Sequence, residues 1–229
     1  MLAVATPSAQ ASGQAIADKP VLFTAVTDAV AAELVDSNDA PGGNITGTSD
    51  MAPIDEQLAL LKEFVPDAEK VGIVYASGEV NSQAQVDAVA EAAPGLGLEI
   101  VTKPVTAAND IPAAAEALDD VDAIYVPTGN MVVNGIASLI QVAEAEQIPV
   151  IGAESGTVEG GAVATLGIDY NKLGYQTAEI LDKAEVVADM VTGLLHTKGR
   201  IDGLLAGILT VIALWSINLR IMDKSNYRS

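Results

Sequence analysis

The sequence predicts an α/β fold built on parallel sheets. Three observations support it: short apolar runs rich in β-branched residues, segments of helical periodicity that alternate with them, and turn signals such as Pro41-Gly42-Gly43 between the two. Continuous apolar strands are typical of parallel sheets that helices cover on both faces. The predicted strands are 2–5, 21–26, 71–75, 99–101, 123–127, 149–152 and 162–168.

Five helices are predicted between these strands. Leu58, Leu61 and Val65 recur at helical intervals, as do Ile136 and Ile140. The glycine-rich stretch 42–47 precedes no helix directly and lacks the spacing of a dinucleotide-binding motif, which predicts a loop. The predicted helices are 53–64, 81–93, 111–118, 130–146 and 172–183.

The composition excludes several function classes. The net charge of −20 argues against nucleic-acid binding, because phosphate neutralisation needs clustered Lys and Arg. The chain has no cysteine, which excludes disulfides and thiolate metal sites. The only histidine is His196, so residues 1–185 cannot build Ser-His or Cys-His catalysis. With no P-loop and no metal-ligand cluster either, we expect a binding protein without cofactor or metal rather than an enzyme.

Polar residues follow six of the predicted strands. In open α/β sheets, ligands bind beyond the carboxyl ends of the strands, where helix N-termini favour an anion such as a carboxylate. The same residue types are preferred helix N-caps, so capping is the alternative for any one of them. The exits read Thr6-Pro7-Ser8, Thr27-Asp28, Ala76-Ser77-Gly78-Glu79, Thr128-Gly129-Asn130, Glu154-Ser155-Gly156 and Asp169-Tyr170.

Several motifs of residues 2–183 resemble one family. The stretches "ATPSAQA", "PVLFTAVTDAV", "DAIYVPTGN" and "IPVIGAESGTVEGGAVATLGIDYNKLGYQTAEIL" resemble the solute-binding proteins of ABC importers, and more narrowly those that bind aromatic or similar amino acids. The resemblance implies two Rossmann-like lobes, a small amino-acid-like ligand held in the cleft between them, delivery to a permease, and a location outside the cytoplasm or at the cell surface.

The resemblance also implies a set of ligand-binding residues. By their chemistry, Ser77, Ser82 and the helix N-terminus beside them would hold the ligand carboxylate. An acidic group, Asp28, Glu154 or Asp169, would hold its ammonium. Tyr75 is added for apolar contact, although a tyrosine at a strand end is as often core. The complete candidate set is Thr6, Ser8, Asp28, Ser49, Asp50, Tyr75, Ser77, Asn81, Ser82, Thr128, Asn130, Glu154 and Asp169.

The sequence departs from the family pattern at three places. Gly129 stands where relatives usually carry an acidic residue, and Ala29 stands where proline is usual. Met1 falls on a strand that family members reach only after a signal peptide and roughly a third of the first lobe. We therefore expect an incomplete first lobe, residues 1–51 with a return helix at 169–185, beside a second lobe, residues 52–168, and no signal peptide in this chain.

The tail, residues 186–229, differs in composition from what precedes it. It holds all three arginines and Trp215, and it resembles part of the permease subunit of the same kind of importer. Its uncharged apolar run, 203–217, would form a helix about 22 Å long, short of a ~30 Å hydrocarbon core. The tail is predicted to be a hydrophobic helix that associates with the membrane or packs in the first lobe. A fusion of the two neighbouring genes would explain it.

Three other functions stay open at this stage. The chain could be a non-functional fusion fragment of a binding protein and a permease. It could be a membrane-tethered structural fragment that binds no ligand. It could also be an enzyme on the same scaffold, such as a carboxylate-using lyase or isomerase in which Glu79, Glu154 or Asp169 pair as acid and base.

Overall fold

A computed structural model describes residues 1–118 and 120–183. The chain forms two compact units, the first from Met1–Asp50 and the segment that begins at Asp169, and the second from Met51–Ile168. Both units carry parallel sheets with helices, which confirms the predicted α/β fold class. The predicted hydrophobic helix of the tail lies outside the described residues.

Unit 1 contains a three-stranded parallel sheet in the order β1-β2-β3. Its core joins Phe23 and Val26 of the central strand to Ala9 of the first helix and to Leu34 of the loop that follows β2. Residues 170–183 are also helical and belong to this unit. The elements are β1 (Leu2–Val4), α1 (Thr6–Ala15), β2 (Val21–Val26) and β3 (Ile45–Ser49).

Two elements of unit 1 were not predicted. Helix α1 buries only small side chains, those of Thr6, Ala9 and Ser12, so it lacks the large apolar residues that reveal helical periodicity. Strand β3 lies in the stretch predicted to be a loop, and that prediction is wrong from Ile45 onward. A Cβ on Gly47 would come within 2.0 Å of the Phe23 carbonyl oxygen, so glycine here permits the close approach of β2.

Unit 2 contains a five-stranded parallel sheet in the order β5-β4-β6-β7-β8. Its strands are β4 (Lys70–Ala76), β5 (Glu99–Val105), β6 (Ala123–Val126), β7 (Val150–Gly152) and β8 (Ala164–Thr165). Its helices are α2 (Ile54–Phe64), α3 (Val80–Ala92), α4 (Ile111–Glu116), α5 (Asn130–Asn134), α6 (Ile136–Ala145) and α7 (Ser155–Glu159).

Helices cover both faces of this sheet. Neighbouring residues of a strand point to opposite faces, and Ile73 and Val74 of β4 accordingly belong to two different core clusters. Leu58 and Leu61 of α2 pack on the first face, and Leu139 of α6 packs on the second. This double burial is the physical reason that the central strands read as uninterrupted apolar runs.

The predicted helix 130–146 is two helices, α5 and α6, divided at Gly135. A Cβ at this position would lie 2.6 Å from Cδ1 of Ile111 in α4, so glycine lets the two segments approach closely. The division leaves α5 as a short helix whose first residue, Asn130, directly follows the exit of β6.

No helix within residues 1–118 and 120–183 has the length and hydropathy that a membrane span requires. The segment for which the sequence predicts such a role, 203–217, is outside the described part of the chain.

Candidate ligand-binding site

The candidate site in unit 2 lies at the carboxyl edge of its sheet. All five strands are parallel, so their carboxyl ends meet at one edge. The connection after β4 places Ser77 and Glu79 there, ahead of α3. The connection after β6 adds Thr128 and Gly129, and the one after β7 adds Glu154.

The Glu79 carboxylate joins the first two of these connections. Its Oε2 accepts hydrogen bonds from the backbone N–H of Asn130 at 2.8 Å and from the side chain of the same residue at 3.3 Å. Its Oε1 accepts from the N–H of Met131 at 2.9 Å. Glu79 therefore caps α5 from the neighbouring strand exit, where a carboxylate also matches the positive end of the helix dipole.

The Gln85 side chain of α3 holds the same neighbouring loop at Thr128. It is fully buried, its Nε2 donates to the Thr128 carbonyl at 2.8 Å, and its Oε1 accepts from the Thr128 N–H at 2.9 Å. Nε2 also donates to the carbonyl of Asn81 at 3.0 Å. Both backbone groups of Thr128 are thus paired by one amide, which fixes this loop to the N-terminal half of α3.

The glycine at position 129 allows this loop to lie against α3. A Cβ there would be 2.5 Å from Oγ of Ser82 and 3.5 Å from Oε2 of Glu79. A side chain at residue 129 would therefore require the Ser82 hydroxyl to rotate away. The carboxylate nearest to that position is supplied by Glu79 instead.

A second buried glutamine, Gln57 of α2, holds the exits of β7 and β8. Its Nε2 donates to the carbonyls of Ala153 at 3.3 Å and Leu166 at 2.7 Å, and its Oε1 accepts from the hydroxyl of Tyr125 at 2.6 Å. Burial raises the pKa of Tyr125, so its hydroxyl stays protonated and donates. This network positions the start of the connection that carries Glu154.

Asn81, the second residue of α3, is buried between these groups. Its Nδ2 lies 3.3 Å from Oε2 of Glu79 and 3.4 Å from the carbonyl of Thr128. Its Oδ1 is enclosed and has no hydrogen-bond partner. Asn81, Ser82, Thr128 and Asn130 are the predicted site residues that the structure brings together.

The other predicted residues of unit 2 lie around this group. Tyr75 is partly buried and packs against the core cluster on the α2 and α3 face. The hydroxyl of Ser77 donates to the carbonyl of Val105 at 3.4 Å. Glu154 is the N-cap residue of α7, and its carbonyl accepts from the N–H and the hydroxyl of Thr157.

In unit 1, the predicted residue Asp50 is the centre of a buried cluster. The hydroxyl of Thr27 donates to its Oδ1 at 3.0 Å, and the hydroxyl of Tyr170 donates to its Oδ2 at 3.1 Å. Burial raises the pKa of Asp50, and these two hydrogen bonds oppose that effect. Ser49 donates to the Thr27 carbonyl at 2.8 Å, so the ends of β2 and β3 are joined twice.

Three of the remaining predicted residues of unit 1, Asp28, Asp169 and Ser8, bond to their own local backbone. Asp28 accepts from the N–H groups of the second and third residues after it at 2.9 Å, and Asp169 accepts from the N–H of Lys172 at 3.0 Å. Both carboxylates therefore perform the capping role that was the alternative. Ser8 donates to the carbonyls of Val4 and Ala5, and Thr6 is buried at the start of α1.

Sequence reasoning did not assign binding or positioning roles to Glu79, Gln85, Gln57, Thr27 and Tyr170. A signal existed for the two glutamines, because each stands one helical turn before a buried apolar residue, Leu61 or Val89, on a core-facing position. Among the described residues, no group of three or more His, Asp or Glu side chains could hold a metal ion.

Comparison with known proteins gives a family and two informative relatives. The model of the family described as ABC transporter substrate binding protein matches residues 1–185. A tyrosine-binding protein from Clostridioides difficile is 44% identical over 179 residues, which are 78% of this chain and 52% of that protein. The chain therefore spans about half the length of this relative.

A solved structure and a second relative add to this comparison. The ABC domain from Streptococcus pneumoniae in complex with L-Trp is 34% identical, has a TM-score of 0.75, and is matched over 79% of this chain and 61% of that chain. A tyrosine transport system permease protein from Clostridioides difficile is 62% identical over 39 residues, which are 17% of this chain and 13% of that protein.

Replacement of Gln85 by leucine is expected to destabilise the protein by about 2–4 kcal/mol, because it leaves the part-buried N–H of Thr128 without its acceptor and removes the Nε2 donor from the Thr128 carbonyl. Urea denaturation measures this loss. Gln83→Leu is the matched control, since it removes the same amide from the same helix at a side chain that bonds only to Asp87 at the surface. Equal losses in the two variants would contradict the assigned role of Gln85.

Asp50 should make the stability of the protein depend on pH. Burial holds its pKa above the usual 3.8, so the folded protein retains this proton more tightly than the unfolded chain does. The resulting stabilisation is complete below pH 3.8 and declines as the pH rises through the raised pKa.

Asp50→Asn cannot ionise and provides the comparison. We expect the free energy of unfolding of the wild type, minus that of the variant, to fall as the pH rises through the raised pKa of Asp50 and to level off above it. Urea denaturation of both proteins across this pH range gives the difference. A difference that does not change with pH would contradict the prediction.

Proposed function

Because the chain belongs to the family of ABC transporter substrate-binding proteins, we propose that it binds an aromatic L-amino acid as the receptor component of an importer. The observation that carries the proposal is the family match across residues 1–185, since this range includes every candidate site residue. The ligand class is supported by the relative named tyrosine-binding and by the solved relative in complex with L-Trp.

The geometry of unit 2 supports a role in binding a zwitterion. The first N–H groups of a helix have no acceptor within it, and in α3 those of Ser82 and Gln83 donate to the Glu79 carbonyl, which leaves those of Val80 and Asn81 for a ligand. The hydroxyls of Ser77 and Ser82 belong to the same connection and first turn. We assign the ligand carboxylate to this end of α3, where the helix dipole favours an anion. Thr128 and Asn130 stand on the loop that Gln85 and Glu79 hold rigid beside it.

For several of the predicted residues of unit 1 we propose a structural role instead of ligand contact. Asp50, with Thr27 and Tyr170, holds the end of β3 to the start of helix 170–183. Asp28 and Asp169 cap the segments that follow them. Ligand contact by Thr6, Ser8 and Ser49, and a cleft between the two lobes, stay predictions from the family resemblance.

The proposed partner is the permease of the same importer, and the proposed location is outside the cytoplasm. Both follow from the family, whose members deliver a bound solute to a membrane subunit. The family is one of transport proteins and not of enzymes. Nothing in the described site selects an acid–base pair, because Glu79 already accepts four hydrogen bonds and Asp169 caps a helix.

The tail has a separate proposed origin. We propose that sequence after residue 185 derives from a permease gene, which the 62% identity over 39 residues to a tyrosine transport system permease protein supports. The expected genomic DNA has a single reading frame that joins the two parts, with no complete permease gene following. A separate and intact permease gene downstream of codons 184–190 would contradict a deletion that fused them.

A thermal melt of the full chain tests the receptor proposal. A ligand that binds only the folded state adds about 2.7 kcal/mol of stability at 100 times its dissociation constant, which raises the melting temperature by several degrees in a protein of this size. We expect this rise with L-tyrosine, L-tryptophan or L-phenylalanine and none with L-alanine or L-lysine at equal concentration.

The same samples distinguish a receptor from an enzyme. A receptor returns the amino acid chemically unchanged, as chromatography of the incubated ligand would show. Turnover that disappears in Glu154→Gln would favour the enzyme alternative. A cooperative melt that no aromatic amino acid shifts would contradict the proposed function.

A further inference from the structure

One polar atom of the candidate site has no partner. Oδ1 of Asn81 is an enclosed acceptor without a hydrogen bond, and the residue as a whole is only 5% exposed. Burying a polar atom without a hydrogen-bond partner costs the free energy of its lost hydration. Native structures therefore contain few such atoms. Ligands bind at the carboxyl edge of parallel sheets, so a donor group of the ligand is one that could supply the partner.

The orientation of the Asn81 amide follows from its neighbours. The groups 3.3 Å and 3.4 Å from Nδ2 are the Glu79 carboxylate and the Thr128 carbonyl, which can only accept hydrogen bonds. Rotation of the amide by half a turn would place Oδ1 against both of these oxygens. The nitrogen therefore faces Glu79 and Thr128, and the oxygen is turned away from them.

We propose that Oδ1 of Asn81 accepts a hydrogen bond from the α-ammonium of the bound amino acid. The inference rests on the proposed function and deepens it, because it assigns the ammonium to α3 rather than to Asp28, Glu154 or Asp169. Asp28 and Asp169 already accept backbone N–H groups of their own segments. Both charged groups of the ligand backbone would then be held by the first turn of one helix.

The negative charge of the Glu79 carboxylate near Asn81 allows a cation to bind at this end of α3. The positive end of a helix dipole disfavours an ammonium, but the Glu79 carboxylate lies within hydrogen-bond distance of the Asn81 amide and supplies an opposing negative charge. The hydrogen bond from Nδ2 to this carboxylate also polarises the amide, which makes Oδ1 a stronger acceptor.

Asn81 can be replaced without leaving another group unpaired. Glu79 keeps its hydrogen bonds from Asn130 and Met131, and the Thr128 carbonyl keeps that from Gln85. Leucine is similar in size and removes the unpartnered oxygen. Asn81→Leu should therefore melt at or slightly above the wild-type temperature without ligand, whereas a residue needed only for structure would lower it.

The ligand pair of L-tyrosine and desamino-tyrosine isolates the ammonium. With the full-length wild type, calorimetric titration should give at least tenfold weaker binding of desamino-tyrosine, about the lower limit for loss of one hydrogen bond to a charged group. In Asn81→Leu, the affinity for L-tyrosine should fall at least about tenfold and that for desamino-tyrosine by less than about threefold. The preference for L-tyrosine then largely disappears. Gln83→Leu, on the outer side of the same turn, should keep the wild-type preference.

The outcomes separate this inference from the proposed function. Equal wild-type affinity for the two ligands, or an unchanged preference in Asn81→Leu, would overturn the inference while leaving the receptor assignment intact. If Asn81→Leu does not melt cooperatively, the smaller Asn81→Ala carries the same comparison. Absence of binding by every aromatic amino acid to the wild type would overturn the proposed function and the inference together.

Discussion

Two buried amide side chains hold the carboxyl edge of the sheet in unit 2, and the other features of this edge depend on them. Gln85 pairs both backbone groups of Thr128, and Gln57 pairs the carbonyls at the ends of β7 and β8 with one amide nitrogen. Loops at strand ends have few regular hydrogen bonds of their own, so side chains must satisfy their backbone groups. A glutamine on the core side of a helix does this without a net charge in the interior.

The acidic side chains of the two units have different hydrogen-bond partners. The Glu79 carboxylate accepts hydrogen bonds from α5, and those of Asp28 and Asp169 accept from local backbone N–H groups. The Asp50 carboxylate is buried and accepts from two hydroxyls. Each of the caps directs a negative charge toward backbone N–H groups, which stabilise it.

The sequence was sufficient for the α/β class and for the strands that are buried on both faces, because large β-branched side chains mark them. It was insufficient for α1 and β3, which bury small residues and glycine and so carry little hydrophobic signal. At the candidate site, position after a strand pointed to Thr128 and Asn130, and the family resemblance added Asn81 and Ser82. Which polar atoms pair with each other depends on the distances between the connections that follow different strands. The sequence does not contain these distances, so the roles of Glu79 and Gln85 became visible only in the structure.

The two units differ in the sequence separation between the segments that form them. Unit 2 is one continuous stretch, whereas in unit 1 Thr177 of helix 170–183 hydrogen-bonds to Thr48 of β3, 129 residues earlier, and to Thr24 of β2, 153 residues earlier. Contacts of such long separation are slow to form, because a large loop must close first. Unit 2 can therefore form from one continuous stretch, while the threonine side chains of β2 and β3 gain their partner only when helix 170–183 docks on them.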